Sequence, residues 1–317
     1  MHLVETMAYV GERPWHGLGK QLAAGQSIQQ WKQSAGMDWC IEEAEVRYIT
    51  GSNGVGTLSA YPRQKVLYRS DTQAPLAVVS KRFQVVQPGE ILEFYRDLTE
   101  IGGFELETAG VLREGRKVWA LARTGQSTLL KGKDRVDGYL LLATACDGTL
   151  ATTAQFTSVR VVCNNTLQVA VGDRRGAIKV PHRSQFDPEA IKQQLGITVS
   201  AWDGFVERMK VLVATPVDPD SVEGLLRRVL TYPAQQGQPP VVNELAVRAA
   251  RALYDGTGKG AGLASSRGTA WGVLNSVTEY VDHHRRARTD DHRRDAAWFG
   301  QGAQLKQRTW DALEALA

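Results

Sequence analysis

Two near-copies of one pattern stand side by side in "YVDHHRRARTDDHRRDAAWFG", residues 280–300: Asp282-His283-His284-Arg285-Arg286 and Asp291-His292-Arg293-Arg294. The Asp and His residues offer ligands for a divalent ion, which would activate water for phosphoester hydrolysis. The Arg residues offer planar guanidinium forks, which grip a phosphate through two parallel hydrogen bonds. These chemistries demand different spacings. A helical metal pair needs ligands at i and i+4, and around the first copy only Glu279 with His283 has that spacing. A metal-dependent nuclease or phosphoesterase would therefore have to use Glu279, Asp282, His283 and Asp291. For the phosphate alternative, Arg285, Arg286, Arg288, Arg293 and Arg294 outnumber Asp282, Asp290 and Asp291, and Lys306 and Arg308 follow on a last helix. Part of that charge is self-compensating, because Asp282 and Arg286 at i, i+4 would form a surface pair worth about 0.3–0.5 kcal/mol.

Three further stretches could contact a ligand. In "FTSVRVVCNNTL", Arg160 sits in a strand among Val159, Val161 and Val162, closed by Asn164-Asn165. Arg160 either faces outward beside an Asn turn or faces a ligand together with the two amides. In "RPWHGLGK", Trp15 and His16 sit in a Gly-hinged loop, where their rings could stack on unpaired bases or simply pack the loop down. "DGTGKGAG" is glycine-rich but fails the phosphate-loop pattern, since Lys259 is followed by Gly260 and a helical segment precedes it. A flexible surface loop is expected there.

The elements that must hold these residues are of two kinds. "FELETAGVL" and "RKVWALART" are β-prone runs joined at Glu114-Gly115, and "YLLLATAC" and "TLATTAQFTSVRVVC" are joined at Asp147-Gly148. Asp-Gly between such runs signals a hairpin, because these residues tolerate positive φ. Ahead of them, "PGEILEFYRDLTEIGG" carries Ile91, Leu92, Phe94, Tyr95 and Leu98 at helical spacing, with Pro88 near its start and Gly102 near its end. From about residue 187 the segments read as helices, with Asp187, Asp218 or Asp220, and Asn243 as N-caps. A helix over 269–288 places Val273, Leu274, Val277, Tyr280 and Val281 on one stripe. On that wheel His284 joins the apolar stripe, whereas Asn275, Glu279, Asp282 and Arg286 lie opposite. The expected fold class is α+β, an antiparallel hairpin sheet with a packed helix, followed by a mostly helical second half. Residues 1–40 are expected to form an N-terminal segment with the PWHGLG loop, 41–178 a β-rich α+β domain, and 179–317 a mostly helical basic region.

The 317 residues are ample for a sizeable core. With 43% hydrophobic and 23% charged residues the composition is that of a globular protein, and no apolar run approaches the roughly 20 residues of a membrane span. The N-terminus lacks the basic start and apolar run of a secretion signal, so a cytoplasmic protein is expected. Cys40, Cys146 and Cys163 stand far apart, form no C-x-x-C pair, and are expected to be reduced core residues. A net charge of +4 is mild, so local clustering must carry any argument for an anionic partner.

Several stretches in order, "ETMAYVGERPWHGLGK", "VVSKRFQVVQ", "ETAGVLREGRKVWALAR", "FTSVRVVCNNTL" and "TAWGVLNSVTEYVDHHRRAR" with "AAWFGQGAQLKQR", resemble the phage/plasmid-like protein family, from residue 5 to about 308. That family is a domain of unknown function found on bacteriophages, prophages and plasmids. The resemblance implies a mobile-element protein in a bacterial cytoplasm, near DNA, and brings no catalytic residues. The element order is also similar to that of phage single-strand annealing proteins, many of which form rings, although fold analogy does not establish function. The expectation is a non-enzymatic, homo-oligomeric protein that binds single-stranded DNA and promotes annealing or recombination, with no cofactor, metal or catalytic residue. Arg285, Arg286, Arg293, Arg294, Lys306 and Arg308 would hold the backbone, with Arg160, Asn164 and Trp15 as further contacts. Besides the nuclease, an interaction protein that blocks a host defence factor through this basic surface is the other alternative.

Overall fold

The computed structural model describes residues 6–11, 19–51, 56–100, 103–160, 162, 165–168, 177–199, 201–232 and 239–316. Trp15, His16, Cys163 and Asn164 lie outside them. The fold is α+β. Among the described residues thirteen strands run in chain order: β1 (Thr6–Val10), β2 (Lys20–Leu22), β3 (Ile41–Thr50), β4 (Thr57–Arg69), β5 (Pro75–Ser80), β6 (Glu105–Leu112), β7 (Lys117–Leu130), β8 (Asp134–Ala145), β9 (Thr152–Arg160), β10 (Asn165–Gln168), β11 (Ala177–Val180), β12 (Thr231–Tyr232) and β13 (Val241–Val242). The helices are α1 (Ile28–Ser34), α2 (Pro88–Glu93), α3 (Arg96–Glu100), α4 (Pro188–Val199), α5 (Ala201–Ala214), α6 (Pro219–Val229), α7 (Glu244–Ala252), α8 (Ala270–Glu279), α9 (Asp290–Phe299) and α10 (Gln301–Glu314). An eight-stranded sheet has the order β10-β9-β8-β7-β6-β1-β2, with β11 on the remainder of β9, and β3-β4-β5 form a separate antiparallel sheet.

Two compact units interleave along the chain: residues 1–124, 140–155 and 177–195 in the first, and 125–139, 156–176 and 196–317 in the second. Strands β8 and β9 are long enough for the two ends of each to belong to different units, and a boundary inside a strand leaves no linker signal in the sequence.

In the first unit both expected hairpin turns form. Glu114 and Gly115 adopt φ of 60° and 97°, and a Cβ on Gly115 would lie 3.1 Å from the Trp39 ring. At the second turn Gly148 has φ 75° and the Asp147 carboxylate accepts from Thr149 N and Oγ1. The predicted helix over 88–103 is instead two short helices. Gln87 and Glu90 close a capping box at the start of α2, and Tyr95, in the break before α3, turns fully into the core. Its hydroxyl lies 2.9 Å from the Ala120 carbonyl and 3.0 Å from that of Leu140, and burial pushes its phenol well above the ordinary range.

The cysteine expectation needs a correction, since Cys40 is exposed while Cys146 is buried. Burial, with Asp147 beside it, pushes the Cys146 thiol up to about 12, so thiolate is scarce there at neutral pH. A thiol reagent is expected to modify Cys40 in the native protein and Cys146 only after unfolding, as read by mass mapping of labelled peptides. Native labelling of Cys146 at the rate of Cys40 would contradict this burial.

One element of the first unit projects from its packing. Between Glu45 and Arg47 the partner on β4 jumps from Lys65 to Ala60, so on β3 only Val46 stands opposite residues 61–64. Strand β5 pairs with β4 only over 64–68, which leaves Arg47–Thr50 and Thr57–Ala60 as a two-stranded ribbon.

In the second unit, Asp218, Asn243, Thr269 and Thr289 side chains cap α6, α7, α8 and α9. The expected helix over 269–288 runs as α8 and then as one wide π turn over Tyr280–His284, where it stops. All ten residues of α8 are buried. The polar side of the predicted wheel is therefore inside: Asn275 Nδ2 donates to the Trp271 carbonyl, Ser276 Oγ to Val273 and Thr278 Oγ1 to Asn275. His284, placed with the apolar stripe from its spacing, is exposed, because the π turn breaks the 100° periodicity just before it.

Candidate nucleic-acid interface

The second unit sorts the cations named from the sequence into a buried set and a surface set. Arg160, at the end of β9, is 2% exposed. Its Nε and Nη2 each lie 2.7 Å from an oxygen of Asp134, itself 1% exposed at the start of β8. Nη2 also donates to Ser266 Oγ at 2.8 Å and to the Gly260 carbonyl at 3.3 Å. Asp134 accepts in addition from Ser265 Oγ at 2.6 Å and from the Trp271 indole N–H at 3.0 Å. Arg160 thus faces the interior of the unit rather than solvent. A bidentate pair with this many further bonds meets the condition under which a buried ion pair is tolerated.

The same network corrects the reading of the glycine-rich loop. Glu279, 4% exposed, accepts from the Lys259 backbone N–H with both carboxylate oxygens, at 3.2 and 3.0 Å. The loop is anchored at Lys259 by Glu279 and at Gly260 by Arg160, rather than swinging freely. A Cβ on Gly258 would meet the Leu253 carbonyl at 2.6 Å and one on Gly272 the Ser266 carbonyl at 2.0 Å, so both glycines are required by close backbone approach.

Lys306, on α10, is also buried. Its Nζ donates to Asp282 Oδ1 and to Thr166 Oγ1, both at 2.8 Å, while Asp282 Oδ2 accepts from Thr166 N at 2.8 Å and Thr166 Oγ1 at 3.1 Å. The partner of Asp282 is therefore Lys306, in the interior, rather than the Arg286 of the expected surface pair. Arg294 is 6% exposed. Arg293 pairs with Asp290, and only 17% of its side chain is exposed. Arg286, Arg288 and Arg308 are exposed, and Arg285 is half-buried with Nη2 3.1 Å from Gln301 Oε1.

The metal alternative fares differently from its spacing. The Glu279 and Asp282 carboxylates, three residues apart, are committed to separate hydrogen-bond sites, the Lys259 amide and the Thr166–Lys306 pair. Glu279 is thus not the exposed neighbour of His283 that an i, i+4 pair requires. Among the described residues no group of three or more His, Cys, Asp and Glu could hold a metal ion. No helix among them is long and apolar enough to cross a membrane.

What the fold and these sites define is an α+β protein with a buried polar network and a modest set of exposed guanidinium groups. Residues 75–298 match the family model described as Domain of unknown function (DUF932). The chain belongs to that family. No curated protein and no solved structure matches it.

Proposed function

We propose that this chain is a single-stranded DNA-binding protein of a phage or plasmid, acting in the bacterial cytoplasm as a homo-oligomer and promoting strand annealing or recombination. The observation that supports it is the exposure of Arg286 and Arg288 beside half-buried Arg285, within four residues at the end of a buried helix. Guanidinium groups fixed at one end to a rigid element can hold phosphates in a defined register without contacting bases. Exposed Arg308 on α10 belongs to the same unit. Arg293 and Arg294 leave this set, because their replacement would disturb packing as well as charge.

Replacing Arg285, Arg286, Arg288 and Arg308 together by Ala is expected to weaken binding of every oligonucleotide sequence alike. The slope of log K against log[salt] should fall by about 0.7 for each phosphate that is no longer neutralised. Affinity at several salt concentrations measures this, with circular dichroism showing that the variant is folded. A folded variant with the wild-type slope would mean that these cations are an ordinary solvated surface.

A further inference from the structure

We propose that the distal part of the β3–β4 hairpin, with the cations at its base, is a stacking surface for unpaired DNA bases. This rests on the single-strand reading above and gives it a second, chemically different contact in the first unit. The ribbon is open on both faces: Ile49 is 75% exposed, Leu58 57%, Tyr48 47% and Tyr61 41%. Tyr48 pairs with Ser59, and Tyr61 follows two residues on along β4, where the register shift begins. Arg47, Ile49, Leu58 and Ala60 take the face opposite Tyr48. Two solvent-facing phenol rings on one hairpin offer flat apolar area that water covers at a cost.

The charge around the rings selects the occupant. No Asp or Glu occurs from Val46 to Ser70, whereas Arg47 and Arg63 lie in that stretch, Arg47 turned back on Glu45 at 3.1 Å. The Lys81 amide donates to the Arg63 carbonyl at 3.1 Å, which brings the exposed Lys81 and Arg82 beside exposed Arg63 at the base of the ribbon. Aromatic faces next to cations are what a single strand requires, the rings stacking on bases and the cations tracking phosphates. A duplex keeps its bases stacked on one another and offers the rings no partner, so the ribbon should discriminate between strand states. An acidic protein partner would use the cations but not the rings.

The test is fluorescence anisotropy of the full chain with labelled oligo(dT) and with a duplex of equal length, at several salt concentrations. Tyr48→Ala with Tyr61→Ala is expected to weaken oligo(dT) binding by roughly ten-fold or more, with the salt slope unchanged and duplex binding unaffected. Tyr48→Phe with Tyr61→Phe should keep wild-type affinity, because the ring and not the hydroxyl makes the contact. Arg63→Ala, Lys81→Ala and Arg82→Ala together should lower the slope by about 2. If the wild type binds oligo(dT) and both sets of alanine variants bind it equally well, the ribbon proposal is overturned while the single-strand reading stands. If the wild type binds no oligonucleotide, both fall. Tyrosine variants that change the mass of the assembly without changing affinity would instead make the ribbon an interface between copies, and would also overturn the proposal.

Discussion

Replacing Asp134 by Ala is expected to lower the unfolding free energy by about 3–5 kcal/mol, the cost of leaving a buried partner charge uncompensated. Arg160 would keep its guanidinium at 2% exposure, still bonded to Ser266 Oγ and the Gly260 carbonyl but deprived of both bonds to its carboxylate. The Ser265 hydroxyl and the Trp271 indole N–H would be left without that acceptor in the same step. Domains of this kind hold only about 5–15 kcal/mol in total, so the variant should lose a large share of its stability. Asp134→Asn keeps the shape but removes the charge, and should cost nearly as much. Arg160→Met combined with Asp134→Leu removes both charges and should recover a large part of the loss. Denaturant unfolding followed by fluorescence and circular dichroism measures all three. A loss under about 1 kcal/mol in Asp134→Ala would show that the network carries little of the fold.

The second large effect is expected at Lys306 and Asp282. Both side chains are nearly inaccessible, at 5% and 6%, and with Thr166 they tie α10 and the end of the α8 segment to β10. Lys306→Ala strands the Asp282 carboxylate, and Asp282→Ala strands the ammonium, each at about 3–5 kcal/mol. The double variant should cost clearly less than the sum, with a coupling of about 2 kcal/mol in a double-mutant cycle. Additivity within about 0.5 kcal/mol would mean that the two groups do not act on one another. Any loss of DNA binding in Lys306→Ala is therefore expected to follow loss of folded protein, in contrast to the Arg286 and Arg288 variants. Titration normalised to the folded fraction separates the two cases.

Local chemistry was legible along the chain. The Glu114-Gly115 and Asp147-Gly148 turns, the caps at Asp218 and Asn243, and the stripe of Val273, Leu274, Val277 and Val281 depend on residues within a few positions of one another. The charge on Arg160, Arg294 and Lys306 was equally plain, but their placement was not. A cation in the sequence has no direction until its partner is known, and the partner of Arg160 lies 26 residues upstream, that of Lys306 24 residues upstream. The ribbon shows the converse. Strand β5 pairs with β4 only over 64–68, so residues 47–50 and 57–60 have no third strand beside them, and that register is set by the tertiary pairing.

By itself the sequence determined the α+β class, the turns and the helix starts, because backbone φ preferences and capping bonds act over one turn of chain. The tertiary structure alone decided which polar groups are inside. A helical wheel gives the relative directions of side chains on one helix but not how many neighbours surround it. Around α8 they close on every side, so Asn275, Glu279 and Asp282 are buried, where burial without partners would cost more than the helix gains. Asn275 finds its acceptor one turn back at Trp271, but partners for Glu279 and Asp282 exist only because β10, α10 and the loop carrying Lys259 converge there in three dimensions, supplying Thr166, Lys306 and a backbone amide.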